Sequence, residues 1–284
     1  MRPVELLKKR LGSLIRVAAR MPGVNTLLDQ PSLRATLKGL PVFNQIYAGG
    51  WGFKHPFDRL HNTDTSGFVS TEELPTSPFD RGGKGVYAGS QPSIIRAALR
   101  ALPALESFTF VDLGCGKGRA MIVASEFAFR EIVGVELSES LVRDGLKNAA
   151  VLRRRFPTRV PLRVELHDAT TFPLPAGNLV IFLYNPFGEQ AIAKVIAMLE
   201  TLPADRQVFI VYYNPVHGHC FDASRKFSRY FAATLPYSPE EIGYGPDETD
   251  TVIIWQTGNL PALRKADAEI RVMKPDVRAE LVDN

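Results

Sequence analysis

The chain has 284 residues, 45% of them hydrophobic, and a formal net charge of +4, which indicates one or two globular domains with a large core. No apolar run approaches the ~20 residues that span a bilayer. Lysines and arginines are spread along the chain rather than clustered, so nucleic acid is not an expected partner. The two cysteines, Cys115 and Cys220, make no disulfide framework and favour a reduced, cytoplasmic setting.

Residues 1–20 alternate leucines with lysines and arginines at helical spacing, which predicts a basic amphipathic helix. This helix could lie on an anionic membrane surface or bind a partner, but a helix packed on the main domain with a solvated basic face is favoured. No uninterrupted apolar segment or clear cleavage site indicates a secretory signal. A second short helix is predicted around residues 32–38.

The next stretch, residues 42–89, is rich in glycine, proline and aromatic residues, and helical periodicity is hard to find in it. Residues 81–85 indicate a loop that could cover a site. Four side chains able to bind a metal lie close together here, but their spacing matches no known ligand pattern, so no metal is expected at His55, Asp58, His61 and Asp64. We assign residues 1–85 to an N-terminal extension that serves as a lid or a recognition region.

Within residues 86–102, Tyr87, Ser90 and Pro92 precede a predicted amphipathic helix that packs beside the first strand of the following domain. Pro92 suits the first helical turn, with Ser90 or Gln91 near the cap. Apolar residues recur behind it at helical spacing, at Ile94, Ile95, Ala98, Leu99 and Leu102.

Residues 108–119, FTFVDLGCGKGR, read as a strand, a tight turn and the start of a helix over 119–129. The strand ends in Asp112, and glycines follow at alternate positions, 114, 116 and 118. Glycine tolerates positive φ and lets a ligand lie on bare backbone, while a helix N-terminus offers free N–H groups. The spacing, acid-Leu-Gly-x-Gly-x-Gly, differs from that of dinucleotide-binding turns and of P-loops. Cys115 is interpreted as a small side chain that fits the turn rather than as a nucleophile.

This stretch closely resembles the first motif of class I S-adenosylmethionine (SAM) methyltransferases. The resemblance covers about residues 86–256 and implies a three-layer, Rossmann-like α/β fold with strand order 3-2-1-4-5-7-6 and strand 7 antiparallel. It implies SAM as cofactor, S-adenosylhomocysteine (SAH) as product, and a turn that holds the methionine end of the cofactor. The cofactor-binding residues that it implies at this turn are Asp112, Gly114, Cys115, Gly116 and Gly118.

The segment from Tyr87 to Ser90, followed by a helix and the glycine motif, more weakly resembles the non-SET histone-lysine methyltransferases. In that family a Tyr-x-x-Ser/Thr segment helps to cover the cofactor, which implies a cofactor role for Tyr87 and Ser90. A turn that only caps the next helix is an equal alternative.

Residues 131–136 predict a second buried strand that ends in Glu136, close to the ~20-residue spacing expected of a ribose-binding acid. A carboxylate there could accept both ribose hydroxyl protons, with Leu137 beside it, or it could cap the next helix. That helix is predicted from the N-cap Ser138 to residue 156. After a third strand over 160–166, Asp168 and Ala169 match the family position that contacts adenine.

A fourth strand over 178–184 is almost wholly apolar, which suits a central strand buried on both faces. It leads into Asn185, Pro186 and Phe187, where N-methylating members of the family often carry Asn/Asp-Pro-Pro-Tyr/Phe; this chain is one residue short. The resemblance implies that Asn185, Pro186, Phe187 and Tyr184 orient the methyl acceptor, and that Asn185 also touches the cofactor. A polar amide that ends an apolar strand would be poor core design, which favours a role in the site.

A helix over 189–202 and a fifth strand over 207–213 follow, and the strand ends in Asn214-Pro215. This echo of Asn185-Pro186 could mean that both ends flank one cleft, or it could be coincidence or a shared turn. His217, His219 and Cys220 offer three zinc ligands in four residues, but such crowding hinders convergence on one ion, so no metal is predicted. Two last strands are predicted over 229–235 and 251–256, before a charged tail, residues 259–284, with a short helix over 261–272.

The domain of residues 86–258 is therefore predicted to transfer a methyl group from SAM, with an amine nitrogen on a protein or a small molecule as the favoured acceptor. An O-methyltransferase that uses His217 as base is the first alternative. A SAM-sensing protein without transfer activity is another. An aminopropyl transferase is disfavoured because no acidic cluster follows the fourth strand to bind a polyamine.

Overall fold

The computed structural model describes residues 54–69, 87–245 and 247–258, together with Gly23, Val24, Leu27, Gln30, Leu33 and Thr36. The helix expected in residues 1–20, the loop at 81–85 and the tail helix at 261–272 lie outside the described residues. Of the helix expected at 32–38, only Leu33 and Thr36 are described, and both are helical. The domain limits at residues 85 and 258 stay predictions.

Helices and strands alternate through most of the described chain. The helices are α1 (Pro56–His61), α2 (Pro92–Arg100), α3 (Arg119–Ala124), α4 (Glu139–Arg155), α5 (Glu189–Glu200) and α6 (Gly218–Ala223), with a 3-10 turn at Pro239–Glu241. The strands are β1 (Phe68–Val69), β2 (Tyr87–Ala88), β3 (Phe108–Leu113), β4 (Glu131–Glu136), β5 (Leu162–Leu166), β6 (Asn178–Tyr184), β7 (Val208–Tyr213), β8 (Ser228–Pro236) and β9 (Thr249–Gln256).

Seven of the strands form one sheet in the order β5-β4-β3-β6-β7-β9-β8, while β1 and β2 pair in a separate antiparallel ribbon. Strands β3 to β7 run parallel, and β9 is antiparallel to both of its neighbours. If these seven strands are renumbered from 1 to 7 in chain order, with β3 as strand 1 and β9 as strand 7, their order in the sheet is 3-2-1-4-5-7-6. The predicted Rossmann-like methyltransferase topology, with its reversed seventh strand, is confirmed.

The sheet divides the core into two clusters, which makes three layers. One cluster packs α2 and α3 against one face of the sheet, and the other packs α5 and the aromatic ring of Phe221 from α6 against the opposite face. Every residue of β3 and β7 is buried. Continuous apolar sequences fit these strands because helices cover both sides of a parallel sheet.

The register brings the chemically active strand ends to one edge. Asp112 pairs with Gly134, and Glu136 at the end of β4 pairs with Leu166. Tyr184 at the end of β6 pairs with Tyr213 at the end of β7. The turns that follow these strands therefore meet at the carboxyl edge, where ligands bind in open α/β sheets.

Two sequence-based predictions differ from the structure by more than a residue or two at an element's end. α3 ends at Ala124 rather than near residue 129, because the Ser125 hydroxyl donates to the Ile122 carbonyl at 2.6 Å and competes with the next helical hydrogen bond. The prediction that residues 42–89 lack helical order missed α1. Six residues are too few for periodicity, and α1 begins through Pro56 in its first turn and the His55 ring, which accepts from Phe57 N at 3.1 Å.

Among the described residues, no helix is both long and apolar enough to cross a bilayer.

Candidate functional site

The glycine turn between β3 and α3 has three residues with positive φ: 84° at Gly114, 52° at Gly116 and 86° at Gly118. Two neighbours also approach the turn too closely for any side chain. A Cβ on Gly114 would lie 2.7 Å from Pro186 Cβ, and one on Gly116 would lie 2.3 Å from the Tyr87 ring. Glycine is therefore required here by the packing of Pro186 and Tyr87 as well as by the backbone conformation.

Four of the five N–H groups of the turn have acceptors within the protein. The N–H groups of Gly114 and Cys115 donate to the Val135 carbonyl, Gly116 to Glu136 Oε2 and Gly118 to the Cys115 carbonyl. Phosphate-binding turns need free N–H donors. What this turn presents to a ligand is bare main chain rather than a row of free N–H donors.

Asp112 stands at the end of β3, directly before this turn. Its side chain is 3% exposed, and no hydrogen bond to its carboxylate is formed by the described residues. Burial, reinforced by the nearby Glu136 carboxylate, raises the pKa of Asp112 well above its usual range. A buried carboxylate without a donor is costly, which makes Asp112 a candidate to accept a hydrogen bond from a ligand; its role in binding cofactor stays a prediction.

Glu136 accepts three main-chain hydrogen bonds. Its Oε1 accepts from Leu137 N and Ser138 N, both at 2.9 Å, and its Oε2 accepts from Gly116 N at 2.9 Å. Burial raises the pKa of Glu136, and these N–H groups act in the opposite direction. The alternative of a helix cap is thus realised, since Oε1 supports the start of α4. The ribose role stays a prediction, and Glu136 also joins the glycine turn to β4.

Cys115 packs inward from the turn. Its side chain is buried, and a Cβ on Gly134 would lie 2.7 Å from its Sγ. Burial raises the pKa of the thiol well above its usual range, which keeps it protonated. This agrees with the interpretation of Cys115 as a small packing residue, not a nucleophile.

Tyr87 lies over the glycine turn, with its ring against Gly116. Its hydroxyl donates to the Thr65 carbonyl at 2.7 Å, and burial raises the pKa of this hydroxyl. The ring is therefore fixed between the turn and residues 62–66, which we call the strap. Ser90 is buried beside it, and its carbonyl accepts from Arg119 Nη1 at 3.2 Å. A role of either residue in binding cofactor stays a prediction.

Arg119, the first residue of α3, attaches the strap to the turn. Its guanidinium donates to Thr65 Oγ1 at 2.7 Å and to the Thr65 carbonyl at 2.9 Å. It also lies 3.6 Å from the carboxylate of Asp58, and the two side chains are 4% and 0% exposed. Burial by itself would raise the pKa of Asp58, but Arg119 and neighbouring hydroxyl groups hold it below its usual value.

The strap was not recognised as part of the site from the sequence. Asn148 of α4 completes it, since its Nδ2 donates to the Asp64 carbonyl at 2.9 Å and to the Lys117 carbonyl at 3.0 Å. The one available signal was an arginine directly after Gly118 at the start of an apolar helix, which demands a buried partner.

The nearby histidines serve structural roles: His55 bonds to Gln91 at 3.0 Å, and His61 to the Phe57 carbonyl at 3.0 Å.

The predicted adenine position lies after β5. Asp168 Oδ1 accepts from Thr170 N at 2.8 Å and from Thr170 Oγ1 at 2.7 Å, so it also stabilises its own turn. Ala169 and Phe172 are buried, and the Phe172 ring packs against His167 at 5.6 Å. Contact of Asp168 and Ala169 with a base stays a prediction.

The predicted acceptor residues at the end of β6 lie against the glycine turn, because Pro186 covers Gly114 and the Phe187 ring lies 3.7 Å from the same Cβ position. Asn185 has φ 41°, and its Oδ1 accepts from the Tyr212 hydroxyl at 3.5 Å. The ring of Tyr184 packs on that of Tyr213 at 4.4 Å. The strand end thus meets the turn, and a role of these residues in orienting a methyl acceptor stays a prediction.

The echo at the end of β7 is a shared backbone turn. Asn214 has φ 50°, and its N–H donates to the Thr251 carbonyl at 2.8 Å. Asparagine is one of the few residues other than glycine that tolerate this conformation. This gives a structural reason for an amide at the end of an apolar strand, which the argument from core design had overlooked.

His217, His219 and Cys220 do not bring their three ligand atoms together as one group. His219 and Cys220 instead meet Glu189, the first residue of α5, in an exposed group whose ligand atoms lie within 4.8 Å of one another. The His217 ring stands apart, 6.2 Å from that of His219. The contribution of Glu189, which comes from another element, could not be read from the spacing.

No protein-family profile matches the chain, and a search of curated proteins gives no match. Among solved structures, the chain is similar to magnesium protoporphyrin IX methyltransferase (ChlM) from Synechocystis PCC 6803 with bound SAM, at 12% identity over 58% of this chain and 77% of that chain, with a TM-score of 0.42. It is similar to TrmN from Thermus thermophilus at 15% identity over 58% and 48% of the two chains, with a TM-score of 0.43, so it spans about half of that protein. An RNA methyltransferase from Salinibacter ruber in complex with S-adenosyl-L-homocysteine is 20% identical over 61% and 97%, with a TM-score of 0.41.

Proposed function

We propose that this chain is a SAM-dependent methyltransferase whose cofactor lies along the glycine turn. The observation that supports this most directly is the chemistry of the turn: four of its five N–H groups are bonded within the protein, and Asp112 is a buried carboxylate without a donor among the described residues. Such a site is rich in acceptors and negative charge. It suits a ligand with a cation and an ammonium group, and it opposes a phosphate.

The side chains fit the parts of such a ligand. The Asp112 carboxylate would accept from the ammonium group of the methionine end, which gains a charge-assisted hydrogen bond. Glu136 has capacity for about four hydrogen bonds and already accepts three, so it would accept one ribose hydroxyl while Gly116 N stays bonded to it. This is one fewer than the two-hydroxyl contact expected from the sequence. Asp168 and Ala169 would contact the adenine.

SAM supplies a methyl group activated by its attachment to a positive sulfur, so the chain needs to bind, position and desolvate the acceptor. We infer that Asn185 positions that acceptor. Its amide oxygen can accept a hydrogen bond from the N–H of the molecule to be methylated. The Tyr212 hydroxyl, which lies 3.5 Å from the same oxygen, restrains it. The proposed acceptor is an amine nitrogen on a protein or a small molecule.

The proposal is tested by incubating the full chain with methyl-tritiated SAM and a cell extract, then sorting labelled products by size and by lability to base. Base-stable label in one size class is the expected result. Base-labile label would replace the amine with a carboxylate oxygen as the acceptor. SAM binding without any labelled product would instead favour a SAM-sensing protein that has no transfer activity.

A further inference from the structure

Outside the glycine turn, three different metal-binding side chains from two elements meet at the carboxyl edge of the sheet. Glu189 is the first residue of α5, while His219 and Cys220 lie in the first turn of α6. Their ligand atoms are Glu189 Oε1, His219 Nε2 and Cys220 Sγ. The oxygen lies 3.1 Å from the nitrogen and 3.9 Å from the sulfur, and the nitrogen lies 3.5 Å from the sulfur.

These separations match those around a tetrahedral zinc ion. With Zn–N and Zn–O bonds of about 2.1 Å and Zn–S of about 2.3 Å, neighbouring ligand atoms are about 3.4–3.6 Å apart. Each of the three observed separations is within about 0.4 Å of that range. We propose that Glu189, His219 and Cys220 bind one zinc ion and leave its fourth position to solvent or to a further ligand.

The ligands are held in place by the elements that carry them. α6 packs against α5, and Phe221, next to Cys220, is 0% exposed with its ring 5.1 Å from that of Trp255. Asp222 accepts from Trp255 Nε1 at 2.9 Å. The backbone that presents His219 and Cys220 is therefore fixed to the core, so little ordering is needed when the metal binds.

The surroundings suit an open metal site. The side chains of Glu189 and His219 are 62% and 64% exposed, so an ion can enter without crossing the core. The combination of imidazole, thiolate and carboxylate is a ligand set that zinc prefers over magnesium or calcium. Three protein ligands leave one coordination position free.

The test is a zinc titration of the full chain against a chromophoric chelator, with cobalt(II) as a spectroscopic probe. One zinc per chain and a thiolate-to-cobalt absorption band are the expected results. Cys220→Ser, His219→Ala and Glu189→Gln should each weaken zinc binding at least about tenfold, and Cys220→Ser should abolish the band. His217→Ala is the matched control, because His217 lies beside the group but outside it, and it should bind zinc as the wild type does.

Absence of stoichiometric binding would overturn the site, as would a Cys220→Ser variant that binds zinc unchanged. A His217→Ala variant that loses affinity as strongly as His219→Ala would overturn the assignment of these three ligands. Circular dichroism and the thermal midpoint verify that each variant is folded. No methyl acceptor or SAM is needed, so the outcome is independent of the proposed function.

Discussion

At the residue scale, Asp112 is a buried side chain whose surroundings favour a ligand with a hydrogen-bond donor. Its carboxylate is buried next to that of Glu136 and has no donor among the described residues. Evolution retains such destabilising groups where function needs them. The Asp112 carboxylate should therefore lower the stability of the free protein and strengthen the binding of a ligand.

We predict that Asp112→Asn stabilises the free protein at neutral pH by about 1–2 kcal/mol, because it removes a buried charge that lacks a partner. The same change should weaken SAH binding by about 10–100-fold, since a charge-assisted hydrogen bond contributes about 1.5–3 kcal/mol. Chemical denaturation and titration calorimetry measure the two quantities. A variant that loses stability and affinity together would contradict the assigned role.

The pH dependence provides the control. The pKa of Asp112 is raised in the folded protein from an ordinary value of 3.8, so the folded state binds more protons than the unfolded state above that pH. Its contribution to stability therefore falls as pH rises from about 3.8 through the raised pKa. SAH affinity should rise over the upper part of the same range as the carboxylate ionises. The difference in stability between wild type and Asp112→Asn should grow with pH; a constant difference would contradict this.

Asn185 combines a backbone role with a proposed role in positioning the acceptor, and two substitutions separate them. Asn185→Gly keeps the left-handed conformation, with φ 41°, but removes the amide. It should lower methyl transfer at least about 100-fold, with SAH affinity changed less than threefold. Asn185→Asp retains an oxygen and should keep more activity than the glycine variant. Parallel losses of transfer and affinity would remove the acceptor role.

At the element scale, the glycine turn is covered by Tyr87 on one side and Pro186 on the other. Both contacts come from segments far away in the sequence, so the turn is shaped by β2 and by the end of β6. Its geometry should therefore respond to the residues that cover it.

Gly116→Ala tests this coupling. The new methyl group would lie 2.3 Å from the Tyr87 ring and would also require φ 52°. We expect a loss of about 2–4 kcal/mol in unfolding free energy, of which about 1–2 reflects the backbone conformation. In a Tyr87→Ala background the same substitution should cost only this backbone part. Equal costs in both backgrounds, measured by a double-mutant cycle, would show that Tyr87 does not restrict the turn.

Residues 54–69 of the N-terminal extension, which include the strap, stabilise the site through the ion pair of Asp58 with Arg119. Asp58→Asn removes the charge that neutralises buried Arg119 and should cost about 3–5 kcal/mol. Amide hydrogen exchange should show residues 54–69 losing protection before the central strands do. Asp64→Asn is the matched control in the same segment: its side chain is 76% exposed and 3.6 Å from Lys117, so it should cost less than about 1 kcal/mol. Equal effects of the two substitutions would contradict the role of the Asp58–Arg119 pair.

At the scale of the whole molecule, the sheet was predictable because its strands are apolar runs that end in polar residues. Asp112, Glu136 and Asn185 mark three strand ends at one edge, and the resemblance supplied the order in which those strands pair. Patterns local to the sequence were sufficient for these features, since burial on both faces determines the composition of a parallel strand.

Contacts between distant segments were not predictable in this way. Glu189 meets Cys220 across 31 residues, and Arg119 meets Thr65 across 54. The bonding of the turn's N–H groups also depends on the Val135 carbonyl, which neither motif nor spacing connects to the turn. Single-sequence periodicity describes elements, whereas these contacts arise only after the elements pack.

The most direct test of the account is a crystal structure of the chain with SAH, accompanied by titration calorimetry. We predict one bound molecule per chain beside Gly114 and Gly116, with its ammonium group on Asp112 and one ribose hydroxyl on Glu136. A turn without ligand density, together with calorimetry that detects no binding at millimolar SAH, would contradict the proposed cofactor and the function built on it.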